Sequence, residues 1–169
     1  MFGVILLFSK EFELITKDIS MNNEFMKLNA CIHHGISRLD HSYRVAYYSY
    51  KIMKFLKLNY VEGTRAALLH DFFTDDVDNY GALGRYRKHP KCALENAKKY
   101  FSLTPLQEDI IVKHMFPVTI TPPKYLESVI VDIVDDVASI YERVSATTHE
   151  VSYTTMVIVT MITNFIKFL

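Results

Sequence analysis

The sequence contains few cysteines, prolines and glycines. Cys31 and Cys92 are the two cysteines among 169 residues, and they form no closely spaced metal-binding motif. A disulfide framework is therefore not expected, and a reducing, cytoplasmic location is the default expectation. The five prolines and five glycines form no linker-like stretch. A chain of this length without an internal linker is expected to form one domain over residues 1–169.

The sequence also lacks an excess of either charge. Nineteen basic residues balance nineteen acidic ones, and half of all residues are hydrophobic. This composition is typical of a globular protein rather than a disordered one. A neutral chain has no basic field that would attract nucleic acid non-specifically, so charge gives no support to a nucleic-acid partner.

The two ends of the chain carry apolar runs that need separate interpretation. The N-terminal run "MFGVILLFSKEF" lacks a preceding basic region and a small-residue cleavage site, so a signal peptide is not expected. Residues 151–169 are almost uncharged and approach the length of a membrane span. Threonines, Asn164 and Lys167 interrupt this run, which favours a buried or partner-covered helix, with a membrane anchor as the alternative.

Apolar residues recur at helical spacing along nearly the whole chain, and no segment shows convincing strand alternation. The expected fold class is therefore all-α, a single-domain bundle of about six to eight helices. In the third predicted helix, Val45, Tyr48, Ile52 and Phe55 form the expected buried stripe. The predicted helices cover residues 2–17, 22–33, 39–56, 61–70, 90–101, 104–114 and 124–142, and the C-terminal segment 151–169.

Two local signals mark the middle of the chain. Residues 72–88 are rich in Asp, Asn and Gly and are expected to form a loop, with Pro90 in the first turn of the following helix. A loop of that length in a compact domain is usually functional or mobile, and this one is the candidate for substrate specificity. Thr104 and Gln107 are spaced as a capping box, which predicts a helix beginning there.

The stretch "RAALLHDFFTDD", residues 65–76, places Asp71 between apolar residues. A buried carboxylate is costly unless something compensates its charge. A divalent cation at the end of the predicted helix, held by Asp71 together with a neutral His70, would supply that compensation. The pair alone is weak support, because adjacent His and Asp occur by chance in many proteins.

Further candidate ligands lie on other predicted helices, before and after the His-Asp pair. His41 precedes the pair by one helix, His89 lies near the start of the next helix, and His114 ends the one after that. A final aspartate lies in "VIVDIVDDVASIYE". This order of histidines and aspartates on separate helices raises the question of whether they form one set.

With these motifs in this order, the sequence resembles the HD-domain superfamily of metal-dependent phosphohydrolases. The matching stretches are "RLDHSYRVA", "ALLHD", "HP…ALENA", "IIVKHMFP" and "IVDDVASIYE", within about residues 34–142. The resemblance implies an all-helical fold in which one ion is held by His41, His70, Asp71 and an aspartate near 135. Members with two further histidines bind a second metal. His89 and His114 fit that pattern, and Asp71 would then bridge both ions.

The last aspartate ligand is open among Asp132, Asp135 and Asp136. Asp135 is preferred because it lies on the flank of an expected core stripe, partly inward, whereas Asp136 lies further towards solvent. In the family a basic residue usually follows this aspartate, and here Asp136 follows Asp135 instead. The expected core stripe consists of Ile130, Val134, Val137 and Tyr141.

The resemblance implies hydrolysis of a phosphate ester or anhydride by metal-activated water, with Asp71 and His70 as catalytic residues. Mixed nitrogen and oxygen ligands suit Fe or Mn, with Ni, Co, Zn or Mg as alternatives, as one or two ions. The expected partner is a small phosphorylated substrate, a nucleotide above all, and a homodimer is an open expectation. The substrate-binding candidates are Arg38, His34 and Lys113, with Arg44 among the further basic candidates.

Two other functions remain open at this point. A metal-binding module without catalysis could sense a nucleotide. Alternatively, the apolar C-terminal segment could be the main functional surface of an interaction or membrane-tethered protein. The family's lysine shortly after the His-Asp pair, a substrate contact in some members, is replaced here by Thr74 and Asp75, so that contact cannot be transferred.

Overall fold

The computed structural model describes residues 8–33, 36–74 and 81–147, and this part of the chain is all-α, as predicted. Its seven α-helices agree with the expected six to eight. One two-stranded antiparallel ladder, with two residues in each strand, interrupts them. The helices are α1 (Lys10–Ser20), α2 (Asn23–Met26), α3 (Arg38–Phe55), α4 (Tyr60–Leu69), α5 (Gly81–Tyr100), α6 (Pro105–Lys113) and α7 (Leu126–Thr147).

The predicted first and second helices need correction. Helix α1 begins where the Ser9 side chain accepts a hydrogen bond from the Phe12 amide, and residues 2–7 of the predicted helix lie outside the described part. The predicted helix over residues 22–33 is wrong beyond α2. The chain passes through a 3₁₀ turn (Lys27–Ala30) into strand β1 (Ile32–His33), which pairs with β2 (Ile36–Ser37).

Helices α3 and α4 pack closely because small residues lie between them. A Cβ atom on Gly63 would approach the Met53 sulfur to 2.4 Å, so glycine permits this contact. Val45 is buried as predicted, but Tyr48 and Phe55 are 46% and 47% exposed, so the predicted stripe is wrong at those two positions. The buried face instead includes Ala46, Ser49 and Met53, and Met53 is the residue that lies against Gly63 of α4.

The predicted loop over residues 72–88 is wrong in its second half. Helix α5 begins at Gly81 and continues through Pro90, which therefore lies inside the helix and not in its first turn. Glycine and proline are unfavourable in helix interiors, but these preferences are weak against tertiary packing. Ala93 and Ala97 are fully buried on this helix and provide that packing. Residues 75–80, the centre of the proposed specificity loop, lie outside the described part.

Helices α6 and α7 complete the described core. The predicted capping box is present: Thr104 caps the Gln107 amide, and the Gln107 side chain accepts from the Thr104 amide. On α7, Ile130 and Val134 are buried as expected, but Val137 is 42% exposed. In residues 8–33, 36–74 and 81–147, no helix is long and apolar enough to cross a membrane. The candidate C-terminal segment 151–169 lies outside these ranges.

Candidate metal centre

His41 is held between two carboxylates of α7. Ser37 caps α3 by accepting from the Asp40 amide, which places His41 in the second turn, facing α7. Its Nε2 lies 2.9 Å from Asp135 Oδ1, and its Nδ1 lies 2.9 Å from Glu142 Oε2. Burial alone would lower the pKa of His41, but the hydrogen bonds to Asp135 and Glu142 raise it to about 10.

His70 and His114 are oriented in the same way by the ends of their helices. The Nδ1–H of His70 donates to the Ala67 carbonyl, and that of His114 donates to the Ile111 carbonyl, both at 2.7 Å. These bonds assign the proton to Nδ1 and leave Nε2 as the atom that faces the site. Both side chains are fully buried. Two histidines therefore present preoriented Nε2 atoms to the same small volume.

Asp71 directs its two oxygens towards different histidines. Its Oδ1 lies 3.4 Å from His89 Nε2 and 3.7 Å from His114 Nε2, and its Oδ2 lies 3.9 Å from His70 Nε2. Burial alone would raise the pKa of Asp71, but the positive charge of His70, followed by that of His89, lowers it below the usual range. A carboxylate placed between two sets of histidines is suited to bridge two cations.

His89 approaches His114 from α5. Their Nε2 atoms are 2.9 Å apart. Burial and the positive charges of His70 and His89 lower the pKa of His114 to about 3, so His114 is neutral at physiological pH and its Nε2 accepts from His89. The ring of Phe73 lies against that of His89, with centroids 5.1 Å apart.

The donor set fits divalent cations. Metal–nitrogen and metal–oxygen bonds are about 2.0–2.2 Å long, so two ligands of one ion lie about 3–4 Å apart, as these atoms do. His70 Nε2 and Asp71 Oδ1 are buried and make no hydrogen bond within the described residues, as expected of atoms arranged to bind an ion. Three groups of residues have ligand atoms within 4.8 Å of one another: His41, His70 and Asp71; His70, His114 and Asp135; and Asp71, His89 and His114.

All six predicted ligands thus lie in these groups. Of the three aspartates left open by the sequence, the structure brings Asp135 into the cluster. Asp136 is exposed, and Asp132 accepts a hydrogen bond from the Phe116 amide at 3.1 Å. Burial, followed by the negative charge of Asp136, raises the pKa of Asp132 to about 7.

The three predicted substrate-binding residues lie in different surroundings. Arg38 is buried, donates from Nη1 to the Phe73 carbonyl at 2.7 Å and stacks over the Phe73 ring. It therefore supports the segment that follows the His-Asp pair, and its role in phosphate binding stays a prediction. Lys113 is half-buried at the end of α6, next to His114. His34 lies outside the described residues.

Sequence reasoning missed Glu142. Its side chain is 2% exposed, and it accepts from both His41 and Arg44, with Arg44 Nη1 2.5 Å from Oε1. Arg44 was a candidate for phosphate binding and pairs here with a carboxylate instead. Glu142 follows Asp135 by seven residues, two turns of α7, and this spacing is the signal that could have placed it on the same face.

The bundle gathers buried histidines and aspartates from α3, α5 and α7 and from the ends of α4 and α6, and this arrangement defines a class of all-α proteins that can hold divalent metals. The comparison with family models agrees: the HD-domain model matches residues 38–140. The chain therefore belongs to the HD-domain family, whose members are generally metal-dependent hydrolases. No curated protein and no solved structure gives a significant match to this chain.

Proposed function

We propose that this protein is a metal-dependent phosphohydrolase that acts on a phosphate ester or anhydride of a small compound, a nucleotide above all. The observation that carries the proposal is the position of Asp71, with one oxygen towards His70 and the other towards His89 and His114. Family membership supports the reaction class.

The proposed ligands divide into two sets that share Asp71. His41, His70, Asp71 and Asp135 would hold the first ion, and Asp71, His89 and His114 would hold the second. We propose iron or manganese, because imidazole and carboxylate ligands suit both, with nickel, cobalt, zinc or magnesium as alternatives. Bound divalent cations neutralise phosphate charge and generate a nucleophilic hydroxide from water near neutral pH.

The chain's own residues supply orientation, water exclusion and proton transfer. The carbonyls of Ala67 and Ile111 fix the rings of His70 and His114. Leu69 and Phe72, 1% and 2% exposed, flank the His-Asp pair and limit access of bulk water. We propose that an aspartate or histidine side chain beside the attacking water takes its proton, and that Lys113 and Arg38 contribute positive charge towards the phosphate.

The location is proposed as cytoplasmic. Cys31 and Cys92 both lie among the described residues and form no disulfide there. The low cysteine content of the sequence supports a reducing compartment.

The test is metal analysis of the purified protein combined with a screen of nucleotides and other phosphorylated compounds. We expect one or two ions per chain and phosphate release that is abolished by a chelator and restored by metal. Asp135→Asn is expected to lose metal, whereas Asp136→Asn, with an exposed carboxylate on the same helix, is its control. A protein without bound metal would contradict the proposal. Stoichiometric metal without turnover of any phosphorylated compound would instead favour a nucleotide sensor.

A further inference from the structure

Glu142 differs from the other groups that orient histidines in the described site. His70 and His114 donate from Nδ1 to neutral backbone carbonyls, whereas His41 Nδ1 lies 2.9 Å from a carboxylate oxygen of Glu142. An anionic acceptor makes a stronger hydrogen bond and raises the basicity of the opposite ring nitrogen. In His41 that nitrogen is Nε2, which faces Asp135.

Arg44 determines the position of the Glu142 carboxylate. One oxygen, Oε1, accepts from Arg44 Nη1, and the other, Oε2, lies against His41. His41 and Arg44 are three residues apart on α3, so both reach the same carboxylate of α7 from one helix face. The guanidinium also lies 5.5 Å from the centre of the Tyr141 ring. The buried carboxylate therefore has a fixed orientation and a compensated charge.

We propose that Glu142, held by Arg44, is a positioning residue whose negative charge keeps the His41 proton on Nδ1 and thereby sets the affinity of the first metal site. The inference rests on the proposed function, since it takes His41 as a metal ligand. Glu142 lies two residues beyond the part of the chain that matches the HD-domain model. Removal of such an outer carboxylate typically lowers metal affinity about 10- to 100-fold.

The test measures Zn²⁺ affinity by competition with a chromophoric chelator, without any activity assay. Glu142→Ala is expected to lower the affinity of the first site for Zn²⁺ about 10- to 100-fold. The matched control is Asp18→Ala, which breaks another arginine–carboxylate pair between helices, Arg65 with Asp18, at 2.5 and 2.7 Å. That control is expected to change stability and leave Zn²⁺ affinity unchanged.

A second readout separates positioning from a purely structural role. Nitrogen chemical shifts of the His41 ring report which nitrogen carries the proton in the zinc-loaded protein, because Zn²⁺ is diamagnetic. We expect Nδ1–H in the wild type and a mixture of states in Glu142→Ala. Arg44→Met is expected to lower the Zn²⁺ affinity by a smaller factor, because the Glu142 carboxylate stays but loses its fixed orientation.

The outcomes are distinguishable. Wild-type protein that does not bind Zn²⁺ would overturn the proposed function and this inference with it. Wild-type binding with unchanged affinity in Glu142→Ala would overturn this inference alone. If Glu142→Ala does not fold, Glu142→Gln takes its place, because it keeps an acceptor for Nδ1–H without the negative charge. A weaker affinity in that variant supports the inference, and wild-type affinity overturns it.

Discussion

Asp71 Oδ1 lies 3.4 Å from His89 Nε2, although the two residues are carried by different parts of the bundle. Asp71 follows the end of α4, and His89 lies within α5, directly before Pro90. The second oxygen of Asp71 faces His70. The carboxylate therefore joins two sets of nitrogen ligands, and its removal should affect both.

We expect Asp71→Ala to abolish the stabilisation of the folded protein by metal. A ligand that binds only the native state adds about 2.7 kcal/mol at a concentration 100 times its Kd. Thermal unfolding of chelator-treated protein, with and without added Mn²⁺, measures this effect. The wild type and Asp136→Asn should show a higher Tm with Mn²⁺, whereas Asp71→Ala should not. An equal rise in Tm on addition of Mn²⁺ in all three proteins would contradict a metal site at Asp71.

His89→Ala should remove the second ion and leave the first. His89 belongs to the group with Asp71 and His114 but not to the group with His41 and His70. Metal content after equilibrium dialysis is expected to fall from two ions to one per chain. Lys91→Ala is the control, because this exposed side chain lies on the same helix and outside all three groups. Loss of both ions in His89→Ala would contradict the division into two sets.

Asp132→Asn should stabilise the metal-free protein at pH 8 but not at pH 4. Burial and the nearby charges of Asp136 and Asp135 raise the pKa of Asp132 to about 7, while the Phe116 amide opposes this shift. The folded state then binds more protons than the unfolded state, so stability declines as pH rises from about 4 to 7.

Asparagine removes this dependence and keeps an acceptor for the Phe116 amide. Since each pKa unit corresponds to about 1.4 kcal/mol, we expect a gain of at least about 1 kcal/mol at pH 8. Urea unfolding of both proteins at the two pH values, in the presence of a chelator, measures the gain. If the free energy of unfolding depends on pH in the same way in both proteins, the raised pKa of Asp132 is contradicted.

Thr104→Ala should destabilise the protein by about 1 kcal/mol or more, because it removes the N-terminal cap of α6. The hydroxyl accepts from the Gln107 amide at 3.3 Å and donates to Glu62, so the variant also loses a link to α4. Thr104→Ser keeps the hydroxyl and is the matched control. Urea midpoints should rank the alanine variant below the serine variant, and equal midpoints would exclude a contribution from the cap.

Several features could be predicted from neighbouring residues alone. The capping box at Thr104 and Gln107 is present, and α4 ends at the His-Asp pair as its apolar run indicated. A helix over residues 90–101 was predicted, but the first part of α5, residues 81–89, could not be placed in this way, because Gly81, Gly84 and Pro90 all oppose a helix locally. The burial of Ala93 and Ala97 against other helices outweighs that preference.

The sequence by itself determined the all-α class and the order of histidines and aspartates, because apolar spacing and short motifs are local properties of the chain. Helical spacing already favoured Asp135 over Asp136, but only the tertiary structure brought Asp135 together with His70 and His114 in one cluster. It also decided that Glu142 meets His41 and Arg44. Such contacts depend on how α7 is rotated and placed against α3, which is set by packing over the whole core rather than by either helix alone.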